Sequence, residues 1–546
     1  MASVQGNGML AEHRDHKGHH HHMQRFHEDG LDEDDNNKVH QMKTEHDDGQ
    51  DDQVTHYVAA HPKRRTAALA ATIKHGHPTK ITAAKKSDKK TSWQQKVSLI
   101  CMKLLWKCDK PLSFVGFLVE WSLNFFALNG SLCTLPYRCI FHRNELVFPQ
   151  PETSDYHTII WHLDPRRHLY TNTSAAAKAN STKTNTALFP AEGSGSKSAM
   201  DVCIMASKLA YENELVVQKV VEEDWNMHFV HFYECWNEYQ KKNNTQVYIF
   251  TDKKQDANAV VVAWRGTEAF NAYDWSTDID FSWVRFQNKM GVHLGFLEAL
   301  GLSTSGLSDE IIANDDQKLA YDDITKKVAE IIHDNPDAKV FITGHSLGGA
   351  LATLYGAMLF YNAEHEITDK LAAIYTYGQP RVGDKEFAKY GETHLKDQYV
   401  RVVYCNDIVP RVPFDNEIFE YKHIGECSYY DSVYNGLILQ EEPYKNFFAW
   451  RFFRLRMNAL WELIQSAIIL SMEHGHDYKE SLIALLLRFI GLFVPGLAAH
   501  SPINYVNAVR LGPYPLARKI MEGVSRISEN LKSITGVHEL DTHLTN

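Results

Sequence analysis

The sequence predicts an α/β protein organised around a mostly parallel central sheet, and three observations predict it. Short β-branched or aromatic runs at residues 247–250, Ala259–Trp264, 340–342 and Tyr399–Tyr404 alternate with longer segments of helical period, the order that crossover connections impose on parallel strands. One of these runs passes directly into Gly344-His345-Ser346-Leu347-Gly348-Gly349 and a helix of small residues, a strand–turn–helix that lifts a serine above a sheet edge. The hydrophobic share of 44% is enough for a large core. Residues 1–92 contribute nothing to it: they are polar, rich in His, Asp, Lys and Gly, and are expected to stay disordered.

Taken in order, that tail runs from acidic (Glu28 to Asp52) to basic (Lys63, Arg64, Arg65, Lys85, Lys86, Lys89, Lys90). His19 to His22 read as a low-complexity tract rather than a metal site. Residues 93–170 form an apolar and basic region. Its aromatics (Trp106, Phe114, Phe117, Trp121, Phe125, Phe126) follow Lys96, Lys103, Lys107 and Lys110, as expected of a segment that docks on a phospholipid-coated surface. Glu120 and Asn124 interrupt it, so an interfacial or re-entrant segment is expected rather than one spanning helix; the competing reading is a buried helix pair. Residues 171–198 read as a linker or loop. Apolar residues at helical spacing over 199–225 (Val202, Met205, Leu209, Leu215, Val216, Val220) predict the helix that opens a catalytic domain spanning 199–515, and residues 516–546 are expected to form a C-terminal helix and tail.

Composition excludes some classes. A net charge of −11 argues against nucleic acid as partner, and the 8 cysteines have no metal-ligand spacing. The start of the chain lacks the apolar core of a signal peptide, so reduced thiols on a cytosolic face, and a protein that is not secreted, are expected. No metal or cofactor is expected.

The chemistry points to Ser346 as nucleophile. At the N-terminus of the following helix the Leu347 amide can face a developing oxyanion. Strand Ala259–Trp264 ends in Arg265-Gly266-Thr267, which brings Thr267 to the same edge as a second oxyanion donor. The aromatic, acidic stretch 269–286 is open between a flap over the site and a surface loop. A serine needs a base and the base an orienting carboxylate, in the chain order Ser, Asp, His. Asp407 follows strand Tyr399–Tyr404 where such an acid belongs, with Asp384 as rival. Among the later histidines (His423, His474, His476, His500, His538, His543), His500 lies in a loop feeding a final helix and is the expected base.

Arg265-Gly266-Thr267, Val292-His293-Leu294-Gly295-Phe296, the Ser346 turn, residues 377–384 (Tyr-Gly-Gln-Pro-Arg-Val-Gly-Asp) and 406–413 (Asn-Asp-Ile-Val-Pro-Arg-Val-Pro) together resemble the fungal-lipase-like, or class 3, lipase family. Within it, residues 206–213, 227–236 and 500–510 are similar to the plant oil-body triacylglycerol lipases, and the likeness covers roughly residues 95 to 515. The resemblance implies an α/β-hydrolase fold and acyl-ester hydrolysis by Ser346, Asp407 and His500, with Thr267 and Leu347 as oxyanion donors. It implies a triacylglycerol substrate at a lipid–water interface on an oil body or membrane; phospholipases and galactolipases also belong to the wider family. The 93 residues between Asp407 and His500 exceed the gap in compact fungal members, and their aromatics and arginines predict a helical insert over 440–499 that caps the core and contacts lipid. A non-catalytic lipid-surface scaffold is the reading from another class.

Overall fold

The computed structural model describes residues 93–130, 134–141, 145–170, 189, 196–268, 283–286, 290–302, 317–413, 421–443, 452–494 and 496–513, all within the unit Thr55–Asn546. The expected polar tails, most of the linker 171–198 and most of the stretch 269–286 lie outside the described residues.

The strands are β1 (His228–Asn237), β2 (Lys242–Thr251), β3 (Ala259–Trp264), β4 (Trp283–Phe286), β5 (Met290–His293), β6 (Lys339–His345), β7 (Leu371–Tyr377), β8 (Gly383–Asp384), β9 (Tyr399–Tyr404), β10 (Tyr421–Lys422), β11 (Cys427–Tyr430) and β12 (Gly436–Leu439). The main sheet runs β1-β2-β3-β6-β7-β9-β11-β12. Its five central strands, β3 to β11, are parallel, while β1, β2 and β12 pair antiparallel at the edges. A smaller antiparallel sheet has the order β10-β8-β5-β4.

The helices used below are α1 (Trp93–Asn129), α2 (Ile159–Leu163), α3 (Lys197–Leu209), α4 (Leu294–Ala299), α5 (Ala320–Asp334), α6 (Leu347–Tyr361), α7 (Lys385–His394), α8 (Phe452–Ile464), α9 (Leu482–Gly491) and α10 (Pro502–Leu511). Both faces of the parallel sheet are covered, which is why its strands are apolar without a polar face. Period-2 alternation divides each strand between two cores. Val340 and Ile342 of β6 join α4, α5 and α6 on one face, whereas Phe341 joins α3 and α10 on the other. With helices on both faces of a mostly parallel sheet, the chain has the α/β-hydrolase fold.

Two details differ from the sequence reading. The helix expected over 199–225 is two: α3 stops near Ala210, and Asn213 starts another, Glu214–Lys219, by accepting from the Val216 amide.

The second concerns α1, which runs unbroken through Glu120 and Asn124, with Pro111 inside it. Those side chains do not interrupt the helix because the body satisfies them. Asn124 donates to the His157 carbonyl (2.7 Å) and accepts from the His157 amide (2.8 Å). Asn129 makes the same pair of bonds to Val147, and Glu120 accepts from the Ile159 amide. Among the described residues, Lys110–Asn129 is, by length and composition only, long and apolar enough to cross a membrane. Those bonds tie it instead to the segment ahead of α2.

Candidate active site

Parallel strands bring their C-terminal ends to one edge, and the loops leaving β3, β6, β7 and β9 meet there. Ser346 sits between β6 and α6 at φ 59° and ψ −132°, a left-handed conformation that costs a non-glycine residue about 1–3 kcal/mol. The glycines around it explain how the turn fits. A Cβ on Gly344 would stand 2.1 Å from the Gly348 carbonyl oxygen, and one on Gly348 would stand 2.2 Å from that of Trp264. Strand, turn and helix therefore pass in backbone contact, and the serine is held where β6 ends.

His500 reaches the same point from a short turn, Ala498–His500, that feeds α10. Its Nε2 lies 2.7 Å from Ser346 Oγ and its Nδ1 lies 2.8 Å from Asp407 Oδ2. A carboxylate only accepts, so Nδ1 carries the proton and Nε2 is left to accept from the serine hydroxyl. Asp407 follows β9 and is fully buried; its other oxygen accepts from the Val409 amide at 2.9 Å. The rival Asp384 does something else: its Oδ1 accepts from the amides of Glu386 and Phe387 and caps α7.

Leu347 is the first residue of α6, where amides have no carbonyl a turn earlier in the helix and the helix dipole is positive. Thr267, buried, leaves β3 beside it: Trp264 pairs with Gly344, and a Cβ on Gly266 would meet the His345 carbonyl oxygen at 2.6 Å. Both expected oxyanion donors thus stand at the edge that carries Ser346.

Some participants were not singled out in the sequence. Tyr505, on α10, donates its hydroxyl to Asp407 Oδ2; burial, and then the neighbouring carboxylate, hold that phenol well above its ordinary pKa, so it stays a donor. His345 accepts at Nδ1 from the Tyr211 hydroxyl (2.9 Å) and donates from Nε2 to the His500 carbonyl (2.9 Å). Its ring stacks on that of His500 with centroids 4.6 Å apart. Burial, and then the closeness of His500, push its pKa well down, which keeps the His345 ring neutral. Arg411 donates to the Asp407 and Cys405 carbonyls and fixes the loop. None of these follows from local pattern: Tyr505 looks like one more apolar residue of an amphipathic helix, although its place five residues after His500 is one turn and a half further on.

Of the other histidines, His423 is buried beside Glu442, which lies between Arg381 and Arg401, and its Nε2 bonds the Pro410 carbonyl. His474 and His476 are exposed. Among the described residues no group of three or more His, Cys, Asp and Glu side chains is placed to hold a metal ion. Cys203, Cys235, Cys405 and Cys427 are buried free thiols. What the arrangement can do is deprotonate a serine hydroxyl through an oriented imidazole, beside a helix N-terminus that favours negative charge.

Residues 261–417 match the class 3 lipase family. The chain is 39% identical to the triacylglycerol lipase OBL1 of Nicotiana tabacum over 483 residues, which covers 77% of this chain and 83% of that protein. It is 39% identical to the triacylglycerol lipase OBL1 of Arabidopsis thaliana over 443 residues, with 77% and 85% covered. A solved structure of the Rhizomucor miehei lipase–propeptide complex aligns at 27% identity over 37% of this chain and 56% of that one, with a TM-score of 0.30.

Proposed function

We propose that this chain, which belongs to the class 3 lipase family, is a serine ester hydrolase that cleaves fatty acyl esters of triacylglycerol at the surface of a lipid droplet. The observation that carries the reading is the chain of hydrogen bonds from Ser346 through His500 to Asp407, anchored on a strained serine turn. Ser346 Oγ attacks the ester carbonyl carbon while His500 Nε2 takes its proton. The Leu347 amide and Thr267 receive the oxyanion, and Asp407, with Tyr505 behind it, stabilises the imidazolium. Collapse expels the alcohol, diacylglycerol, with the proton from His500. Water then attacks the acyl-serine by the same route and releases a fatty acid.

The triacylglycerol substrate is supported by the relatives of that name, each covered over most of its length. The droplet surface is supported by the aromatic residues of α1 that face outward, Phe114 at 62% exposure among them, and by the basic run ahead of it in sequence. Charge attraction and apolar insertion are two separate signals, and stable anchoring needs two. High salt is expected to loosen the protein from droplets without releasing it, since only the charged part is screened.

Two measurements test the reading. A fluorophosphonate probe should label Ser346 in the purified protein; absence of labelling would leave a scaffold with a lipase fold. Fatty acid release should be faster from a triolein emulsion than from phosphatidylcholine vesicles, and the reverse ranking would make the enzyme a phospholipase.

A further inference from the structure

The segment between Asp407 and His500 carries two helices whose polarity is inside out. Residues 482–494 contain a single charged residue, Arg488, and it is buried. Its guanidinium donates to Glu480 through Nε (2.7 Å) and Nη2, stands 3.7 Å from Glu462 of α8, and donates to Asn504 of α10 (2.8 Å). The opposite side of α9 faces outward with Leu482 (80% exposed), Leu486, Phe489 and Ile490, continued by Phe493 and Val494. From Met457 onward helix α8 repeats the pattern: Glu462 is buried, while Met457, Leu460, Trp461 and Ile464 are exposed.

Water selects the opposite arrangement, with charge outward and apolar side chains against the core. Helices that turn polar groups inward and apolar groups outward are those whose surroundings are themselves apolar. A water-soluble surface also rarely exposes so much contiguous apolar area.

The same inversion holds in α1, which buries Asn124 and Asn129 and exposes Phe114, Val115, Phe117 and Leu118. The helices are neighbours through one element, because both α1 and α9 pack on α2. There Leu163 meets Ala484 and Ile503, with Ile160, Ile483 and Leu487 around them. Resting on the lipid-surface reading above, we propose that the outward faces of α8 and α9 form, with α1, one rim that inserts into the phospholipid-coated surface of an acylglycerol droplet.

The rim is wired to the site. Asn504, held by Arg488, donates to the carbonyl of Ala498 (2.7 Å), two residues before His500. The Gly496 carbonyl accepts from the amide of Ile408, next to Asp407. These bonds join α9 to the turn that carries His500 and to the loop that carries Asp407, so the rim and the site are parts of one hydrogen-bonded unit.

The test uses the full chain with Leu486→Ser, Phe489→Ser and Phe493→Ser combined. On triolein droplets coated with phosphatidylcholine, the variant is expected to float at least tenfold less well than the wild type and to release fatty acid correspondingly more slowly. Labelling by the soluble fluorophosphonate should stay within twofold, and the mass by light scattering should not change. Flotation and triolein turnover at wild-type level would overturn the proposal, and so would a wild-type dimer that the substitutions split, since a second copy would then cover this face. Hydrogen exchange on the unaltered protein gives an independent reading: droplets should protect residues 482–494, and no protection there overturns the rim even if the triple variant misfolds. A wild type that binds droplets through this face yet releases no fatty acid would leave the rim standing and remove the lipase reading.

Discussion

Helix α5, behind the sheet, buries Ile324, Val328 and Ile332 and turns Asp322, Lys326 and Glu330 to water. Helix α9, just ahead of His500, buries Arg488 and turns Leu486, Phe489 and Ile490 outward. Both are amphipathic to the same degree, and what differs is which side meets the protein. The contrast teaches that amphipathicity locates a helix at a boundary without saying which medium lies beyond it. It also separates two uses of buried polar groups. At the strand ends, Ser346, His500, Asp407 and Tyr505 form one hydrogen-bonded chain, the one proposed above to move a proton, whereas Arg488, Glu462, Asn124 and Asn129 form networks that fasten outward-facing helices to the body.

The largest effect should come from breaking the first network. Ser346→Ala is expected to lower kcat on a soluble butyrate ester by roughly 10⁴- to 10⁶-fold, with the fold kept because alanine takes the same backbone conformation and loses only the hydroxyl. Wild-type turnover by the alanine variant would remove Ser346 from the chemistry. Next comes Asp407→Asn, which keeps the side chain's size but lets His500 adopt the other tautomer, at a cost of about 10⁴ in kcat in comparable triads. Asp384→Asn should instead leave kcat within a few fold and cost no more than about 1 kcal/mol of stability, as a helix cap does. A reversed ranking of these two would move the acid to Asp384.

A third pair sharpens the contrast between helices directly. Ile324→Ala empties part of a closed core and should cost about 2–4 kcal/mol, whereas Leu486→Ala, in aqueous buffer, should stay within about 0.5 kcal/mol. Thermal unfolding of the two variants without lipid decides it. If Leu486→Ala destabilises as strongly, α9 is covered by protein after all.

These contrasts mark what was legible in the sequence. The turn at Ser346 could be read because strand, glycines and helix are adjacent, and backbone contact alone demands the glycines. Asp407 and His500 were accessible through chain order and through their places after a strand and before a helix. Tyr505 and His345 were not, because their partners lie 98 and 155 residues away in sequence, and only the tertiary fold brings such side chains together. Lipid contact by α1 and by the insert was expected, but which of their side chains face outward was out of reach. Glu120 and Asn124 look like interruptions of an apolar run until the backbone of residues 157 to 159 appears opposite them.

The smallest expected effect concerns that junction. Glu120 accepts from the Ile159 amide, and burial, more than the nearby Glu268 and Glu212, raises its pKa from the ordinary 4.5 to about 7. Glu212 is itself engaged by Thr158 and stands 3.5 Å from His157, and among the described residues no ion pair to Glu120 is seen. A carboxyl whose pKa is higher when docked than when free favours docking while it is protonated. That contribution is complete below about pH 4.5, declines as pH rises to about 7, and is gone above it. The interval from 4.5 to 7 corresponds to roughly 3 kcal/mol at most, and partial solvent access reduces it to about 1–2 kcal/mol. Glu120→Gln keeps an oxygen for the Ile159 amide and removes the titration. Hydrogen exchange at residues 112–128 should therefore be slower in the variant than in the wild type at pH 8, after correction for intrinsic rates, and indistinguishable from it near pH 4.5. An equal difference at both pH values would mean that Glu120 holds its place by shape, not by charge, and that α1 rests on the body with the same strength whatever the pH.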